Sequence, residues 1–260
     1  MKRLLLVALL FPLLAAGQEV VTIPTRPGVT QSFFIANMGG VNPQAVALVY
    51  SGGFGAIKLR LEGSKPKFQQ GNFLVRTRTD FIRNGILPVL VDVPSDQPTG
   101  VPDSYRRSES QLADARAVLA EIKKRLPGLP VFILTTSRST LSGAFLGREL
   151  GPDDVAGIVL SSSMIAPGRH WESLADFDFK AVKVPLLFVH HRADTCKATP
   201  YPSLARAASG FPLISVSGGK TAESGPCEPF AAHGYFGKES QTVDAIAGWM
   251  LKKPFAREID

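Results

Sequence analysis

Cysteine and histidine are scarce: the 260 residues contain two cysteines and four histidines. Cys196, Cys227 and His233 lack the close ligand pairs of a zinc site, so neither a metal nor a cofactor is called for. Long apolar runs are also scarce. The one at Leu4–Ala16 is too short to cross a bilayer comfortably, and no later stretch is long and apolar enough, so no membrane span is expected. That first run follows Lys2 and Arg3 and ends in the small residues Ala15, Ala16 and Gly17. It reads as a secretory signal peptide over residues 1–17, cut after Gly17 and leaving a single domain over 18–260. No cysteine stands at the cut, so no lipid anchor is indicated. Acidic residues fall short of basic ones, 22 against 29, for a net charge of +7. The excess is scattered, with no basic–aromatic interleaving and no nucleic-acid motif, which excludes a nucleic-acid partner. The reading is an exported protein, periplasmic or secreted, in which the two cysteines pair as a disulfide. Its oligomeric state is left open.

Strands and helices alternate along the chain. VVTIPT and QSFFIAN, either side of Arg26-Pro27-Gly28, predict an antiparallel hairpin. AVALVY (45–50), ILPVLVDV (86–93), VFILTT (131–136), AGIVLSSS (156–163), VPLLFVHH (184–191) and FPLISV (211–216) predict strands. Helices are expected over 72–84, 108–126, from Leu141, and near 239–252. The second is the best marked: Ser108 and Gln111 form a capping box, and Pro127-Gly128 stops it. Strands without period-2 alternation, separated by helices, predict an α/β fold with a mostly parallel sheet covered on both faces. In such sheets function collects at the carboxyl ends of the strands.

The loops there carry a consistent chemistry. After 45–50 comes Ser51-Gly52-Gly53-Phe54-Gly55. After 131–136 comes Ser137, within Thr135-Thr136-Ser137-Arg138-Ser139, at a strand-to-helix corner of small-x-Ser-x-small type. After 184–191 comes Asp194, and after 211–216 comes His233. A serine hydroxyl needs a base within reach, and the base needs a carboxylate to fix its tautomer. The order Ser…Asp…His, with the initial hairpin and the glycine loop after the third strand, resembles the α/β-hydrolase family over essentially the whole mature chain.

The resemblance implies Ser137 as nucleophile, His233 as general base and acid, and Asp194 as the orienting carboxylate. It implies the backbone N–H of Arg138 as one oxyanion donor, and Gly53 or Phe54 as the second. The activity implied is hydrolysis of small carboxylic esters through an acyl-enzyme; thioesters, amides, or a non-catalytic binding role on the same fold are the alternatives. Three positions depart from the family pattern. Thr135 replaces the first elbow glycine, where a β-branched side chain is expected to crowd the turn. Ser139 replaces the second glycine, and Ser51 stands where many members carry histidine. The rival residues are His170, His190 and His191 for the base, Asp96 for the acid, and Ser139, Ser142 and Ser161–Ser163 for the nucleophile. Arg138 is expected to cap or pair on the surface. The Cys196–Cys227 disulfide would tie the acid loop to the base loop. No stretch between 163 and 183 is long enough for a large lid, and Pro167, Trp171 and Phe177 are expected to line a shallow wall.

Overall fold

The computed structural model of the chain describes residues 18–260, so the expected leader lies outside the described residues. The elements are β1 (Glu19–Arg26), β2 (Val29–Ile35), β3 (Ala45–Tyr50), the small hairpin β4 (Arg60–Glu62) and β5 (Lys65–Lys67), α1 (Phe73–Arg76), α2 (Arg78–Arg83), β6 (Ile86–Pro94), α3 (Glu109–Arg125), β7 (Val131–Thr136), α4 (Thr140–Glu149), β8 (Gly157–Ser161), β9 (Leu186–His191), α5 (Tyr201–Ala207), β10 (Leu213–Val216), α6 (Glu239–Met250) and β11 (Glu258–Ile259). Nine strands form one sheet in the order β1-β2-β6-β3-β7-β8-β9-β10-β11. The β1–β2 and β2–β6 pairs are antiparallel and every other pair is parallel.

Successive side chains of a strand point to opposite faces. Every residue of β3, β7, β8 and β9 is buried, so the centre of the sheet is covered on both sides. The covering helices associate in pairs, α3 beside α4 and α2 beside α6. No helix among the described residues is long and apolar enough to cross a membrane.

The predicted helix over 72–84 is two short helices. Thr77 divides them, its hydroxyl donating to Phe73 O at 2.8 Å. Such back-bonding competes with the helical ladder. The capping box of α3 is half formed. Ser108 Oγ accepts the Gln111 N–H at 3.2 Å, but the Gln111 side chain turns to Ser142 instead. Strand β8 stops at Ser161 because Ser162 takes a left-handed conformation, φ +45°. Between β8 and β9 the only helical piece is the single turn Phe179–Ala181.

Candidate active site

Buried β7 delivers the chain to Ser137, which is half-buried with φ +54°. A left-handed conformation costs a non-glycine residue about 1–2 kcal/mol. It persists where surrounding contacts over-determine it, and here they do. Ser139 Oγ accepts the Thr136 N–H at 2.9 Å and lies 2.9 Å from both Tyr50 O and Thr136 O. Thr140 Oγ1 donates to Ser137 O at 2.6 Å. From the far side the glycine loop presses on the corner: a Cβ at Gly52 would sit 2.9 Å from Thr136 O and 3.2 Å from Ser137 Cβ.

Two departures from the usual elbow glycines are thereby explained. Thr135 was expected to crowd the turn; instead its bulk points at Gly143 of α4. A Cβ at Gly143 would lie 2.5 Å from Thr135 Oγ1 and 2.9 Å from Thr135 Cγ2. The Thr135 hydroxyl donates to Val159 O at 3.0 Å. Ser139, fully buried, is the tie that joins the elbow to β3.

His233 sits in the one-turn segment Ala232–Gly234 of the loop after β10. Its Nδ1 lies 2.9 Å from Asp194 Oδ2 and 3.2 Å from Thr199 Oγ1. The Thr199 hydroxyl gives its proton to Asp194 Oδ2 at 2.8 Å, so toward His233 it can only accept. Nδ1 therefore carries a proton, and in the neutral ring the lone pair is on Nε2. Nε2 is buried and has no hydrogen-bond partner among the described residues. The backbone of this loop is held on two sides. Ser162 Oγ donates to His233 O at 2.8 Å. Arg76 Nη2 donates to Gly234 O at 2.6 Å and Pro229 O at 3.0 Å, while pairing with Glu239.

Asp194 is buried, and burial alone would push its carboxyl pKa up. The His233 hydrogen bond, the nearby imidazoles and the Cys196 N–H outweigh that and hold it below the usual carboxylate range. The carboxylate is therefore ionised at neutral pH. Cys196 and Cys227 form the expected disulfide, which joins the Asp194 loop to the loop that carries His233.

Most of the rival residues have other partners, though buried Ser163 Oγ has none among the described residues. His190 Nε2 is bonded to Thr199 O at 2.8 Å, and burial pushes its pKa down to about 4, against the pull of Asp194. His191 is bonded to Gly218 O. Asp96 is paired with Arg26. Ser142 donates to Gln111, Ser161 to Thr135 O and Ser162 to His233 O. His170 is exposed and lines the same cleft as Ser137.

That cleft has a volume of about 940 Å³ and is bounded by Ser137, His233, Gly52, Gly53, Phe54 and Trp171, among others. Of the three residues expected in its wall, only Trp171 is there. Phe177 packs on Phe179 in the core. Ser137 and His233 both line this cleft, and no hydrogen bond joins Ser137 Oγ to His233 Nε2; such contacts commonly tighten only with substrate present. The Gly53 and Phe54 amides have no acceptor among the described residues. Phe54 is 66 % exposed, and its ring lies 5.5 Å from the Arg138 guanidinium.

Arg138 is not a free surface charge. It forms a two-pronged pair with Asp103, at 2.6 and 2.9 Å. Sequence reasoning missed Asp103, Arg106 and Thr199. The first two lie in the loop after β6, where the strand-end rule could have found them. Thr199 had no signal beyond following Asp194.

No protein-family model matches the chain, and no curated protein matches it in sequence. Solved structures do. A lidless α/β serine hydrolase from Xanthomonas campestris superposes with a TM-score of 0.56 at 13 % identity, over 93 % of this chain and 95 % of its own. A sugar hydrolase from Lactococcus lactis gives 0.56 at 14 %, over 90 % and 98 %. A cold-adapted esterase from an Arctic intertidal metagenomic library gives 0.51 at 14 %, over 77 % and 84 %. At such identities what is shared is the architecture, and this chain has the α/β-hydrolase fold.

Proposed function

We propose that the chain is an exported serine hydrolase that cleaves carboxylic esters of small molecules. The observation that carries this reading is the His233 imidazole. Its Nδ1–H is committed to an ionised, buried Asp194, and its Nε2 is left unpartnered at the cleft that Ser137 lines. That places a candidate base in the same cleft as a serine held in a strained corner. Esterases and hydrolases among the structural neighbours support the same class.

In the cycle, Ser137 Oγ attacks the ester carbonyl carbon while His233 Nε2 takes the hydroxyl proton. The oxyanion of the tetrahedral intermediate accepts hydrogen bonds from the Arg138 N–H and from Gly53 or Phe54. The C–O bond to the leaving alcohol then breaks, and His233 returns the proton to it. Water attacks the acyl-Ser137 by the same route and releases the acid. Asp194 stays ionised throughout and stabilises the imidazolium. Residues 1–17 direct export in this reading; N-terminal sequencing of the exported form checks it, and an intact Met1 refutes it.

A fluorophosphonate probe tests the nucleophile. It is expected to label the wild-type protein and not Ser137→Ala. The same variant is expected to lose p-nitrophenyl ester turnover by roughly 10⁴-fold or more. Absence of labelling in wild type, or equal labelling of the variant, refutes the enzymatic reading in favour of a binding protein. An ester, thioester and amide panel tests the choice of ester.

A further inference from the structure

A buried cation lies behind the glycine loop. Arg106 is 2 % exposed, and the one hydrogen bond of its guanidinium among the described residues runs from Nη2 to Gly53 O at 2.8 Å. Its Nε has no hydrogen-bond partner among the described residues and lies 3.8 Å from Asp103 Oδ1. The loop rests directly on the guanidinium: a Cβ at Gly55 would be 3.4 Å from Nη2. Burial lowers the pKa of Arg106 to about 10, so it stays charged at neutral pH. A buried guanidinium with so few acceptors is a costly way to fasten a loop.

We propose that Arg106 is a positioning residue, which turns the Gly53–Phe54 peptide so that the Phe54 N–H is the second oxyanion donor. This rests on Ser137 being the nucleophile, as proposed above. The geometry is that of the peptide unit. In a trans peptide the C=O of one residue and the N–H of the next point in opposite directions, and the described residues contain no cis bond. With Gly53 O drawn down onto buried Arg106, the Phe54 N–H is turned away from the interior. Gly53 and Phe54 both line the cleft, so that direction is the substrate's. The Gly53 N–H belongs to the preceding peptide, on which Arg106 has no hold.

The cation does more than aim the donor. A positive charge on the carbonyl oxygen polarises the peptide and strengthens its N–H as a donor. Asp103 links this device to the elbow. The same carboxylate holds the Arg138 side chain at 2.6 Å and faces Arg106 at 3.8 Å. The two residues that supply the donor amides, Arg138 on the elbow and Phe54 on the loop, are thus referenced to one side chain. Two guanidiniums share one carboxylate, which leaves net positive charge behind the place where negative charge develops.

The test combines a variant with a measurement on the unaltered protein. Arg106→Met keeps the length and removes donor and charge. It is expected to lower kcat by about 10- to 100-fold, because a mis-aimed donor loses much of what a deleted one loses. KM is expected to stay within about twofold, and affinity for phenylboronic acid, whose anionic adduct on Ser137 imitates the intermediate, to fall in step with kcat. In wild type labelled with ¹⁵N-phenylalanine and ¹⁵N-glycine, the boronate is expected to move the Phe54 amide proton downfield more than that of Gly53. Wild-type kcat in folded Arg106→Met, or a boronate shift at Gly53 with none at Phe54, overturns the assignment. If Arg106→Met does not fold, the shift in wild type decides alone. Ester turnover that is lost in Ser137→Ala but insensitive to Arg106 would sink this inference and leave the proposed function intact. Wild type that takes no boronate and turns over no ester would take both down.

Discussion

The exchange of space between Thr135 and Gly143 makes a quantitative prediction. Gly143→Ala would normally favour a helix interior by about 1 kcal/mol. Here the added Cβ meets Thr135 Oγ1 at 2.5 Å, Leu160 Cδ2 at 2.7 Å and Thr135 Cγ2 at 2.9 Å. Overpacking of that kind costs about 1–3 kcal/mol, and two of the three atoms belong to a β-branched side chain that cannot rotate away cheaply. The net expectation is a loss of about 0–2 kcal/mol, or up to roughly 8 °C in Tm for a chain of this length. Thr135→Ala alone loses the bond to Val159 O, about 1 kcal/mol. It also removes both atoms that obstruct Gly143. In that background Gly143→Ala meets only the end of the Leu160 side chain, and its helix preference re-emerges. Wild type, both single variants and the double variant are therefore expected to close a cycle with a coupling of about 1–3 kcal/mol in favour of the double. Denaturant unfolding under non-reducing conditions measures it. A coupling below about 0.5 kcal/mol, or a Gly143→Ala variant more stable than wild type, would refute the claim that the helix makes room for Thr135.

Restoring the family's second elbow glycine is expected to harm the protein: Ser139→Gly strands the buried Thr136 N–H and frees Tyr50 O, destabilising by about 1–3 kcal/mol in thermal unfolding. A neutral result there would mean water replaces the hydroxyl. Stability is expected to fall as pH drops from about 6.5 to 4. The unfolded chain protonates His190 over that window while the folded one, with its pKa near 4, does not. The loss is of order 3 kcal/mol at full extent, at 1.36 kcal/mol per pKa unit, and His190→Gln should flatten the profile; an unchanged slope would place the acid sensitivity elsewhere. Asp194, its pKa held low, keeps its contribution above the unfolded carboxylate pKa and loses it only as pH falls through the folded value, a separable, more acidic step. Replacing both cysteines by alanine releases a 31-residue constraint, worth about 3–4 kcal/mol by loop entropy. Turnover in the still-folded variant should drop as well, because the bridge joins the loops of Asp194 and His233; unaltered kcat would reduce the disulfide to a staple.

What the sequence made legible was periodicity and punctuation. The apolar runs of β3, β7 and β9 announced buried strands, and the rule that loops after such strands carry function led to Ser137, Asp194 and His233. What it concealed were contacts between segments remote in the chain or on different elements. Thr135 looked like an obstacle because nothing in the local pattern shows that Gly143, in the first turn of α4, leaves room for it. Arg138 was expected to cap or pair, but its partner could not be named because it lies 35 residues earlier, in the loop after β6. Thr77 carried no mark that its hydroxyl would turn back on Phe73 and split a helix. Gln111 had two possible bonds and took the tertiary one. Local preference proposes such contacts, but packing across the sheet decides them.

The single turn between β8 and β9 has a kinetic consequence. In the proposed reaction, a connection without a helical flap is expected to let association be limited by encounter instead of by a gating motion. Rates on a sparingly soluble ester should then track its dissolved monomer and show no surge when droplets form. Selectivity of the proposed enzyme is then expected to come from the rim of the cleft, which exposed Phe54 and His170 line.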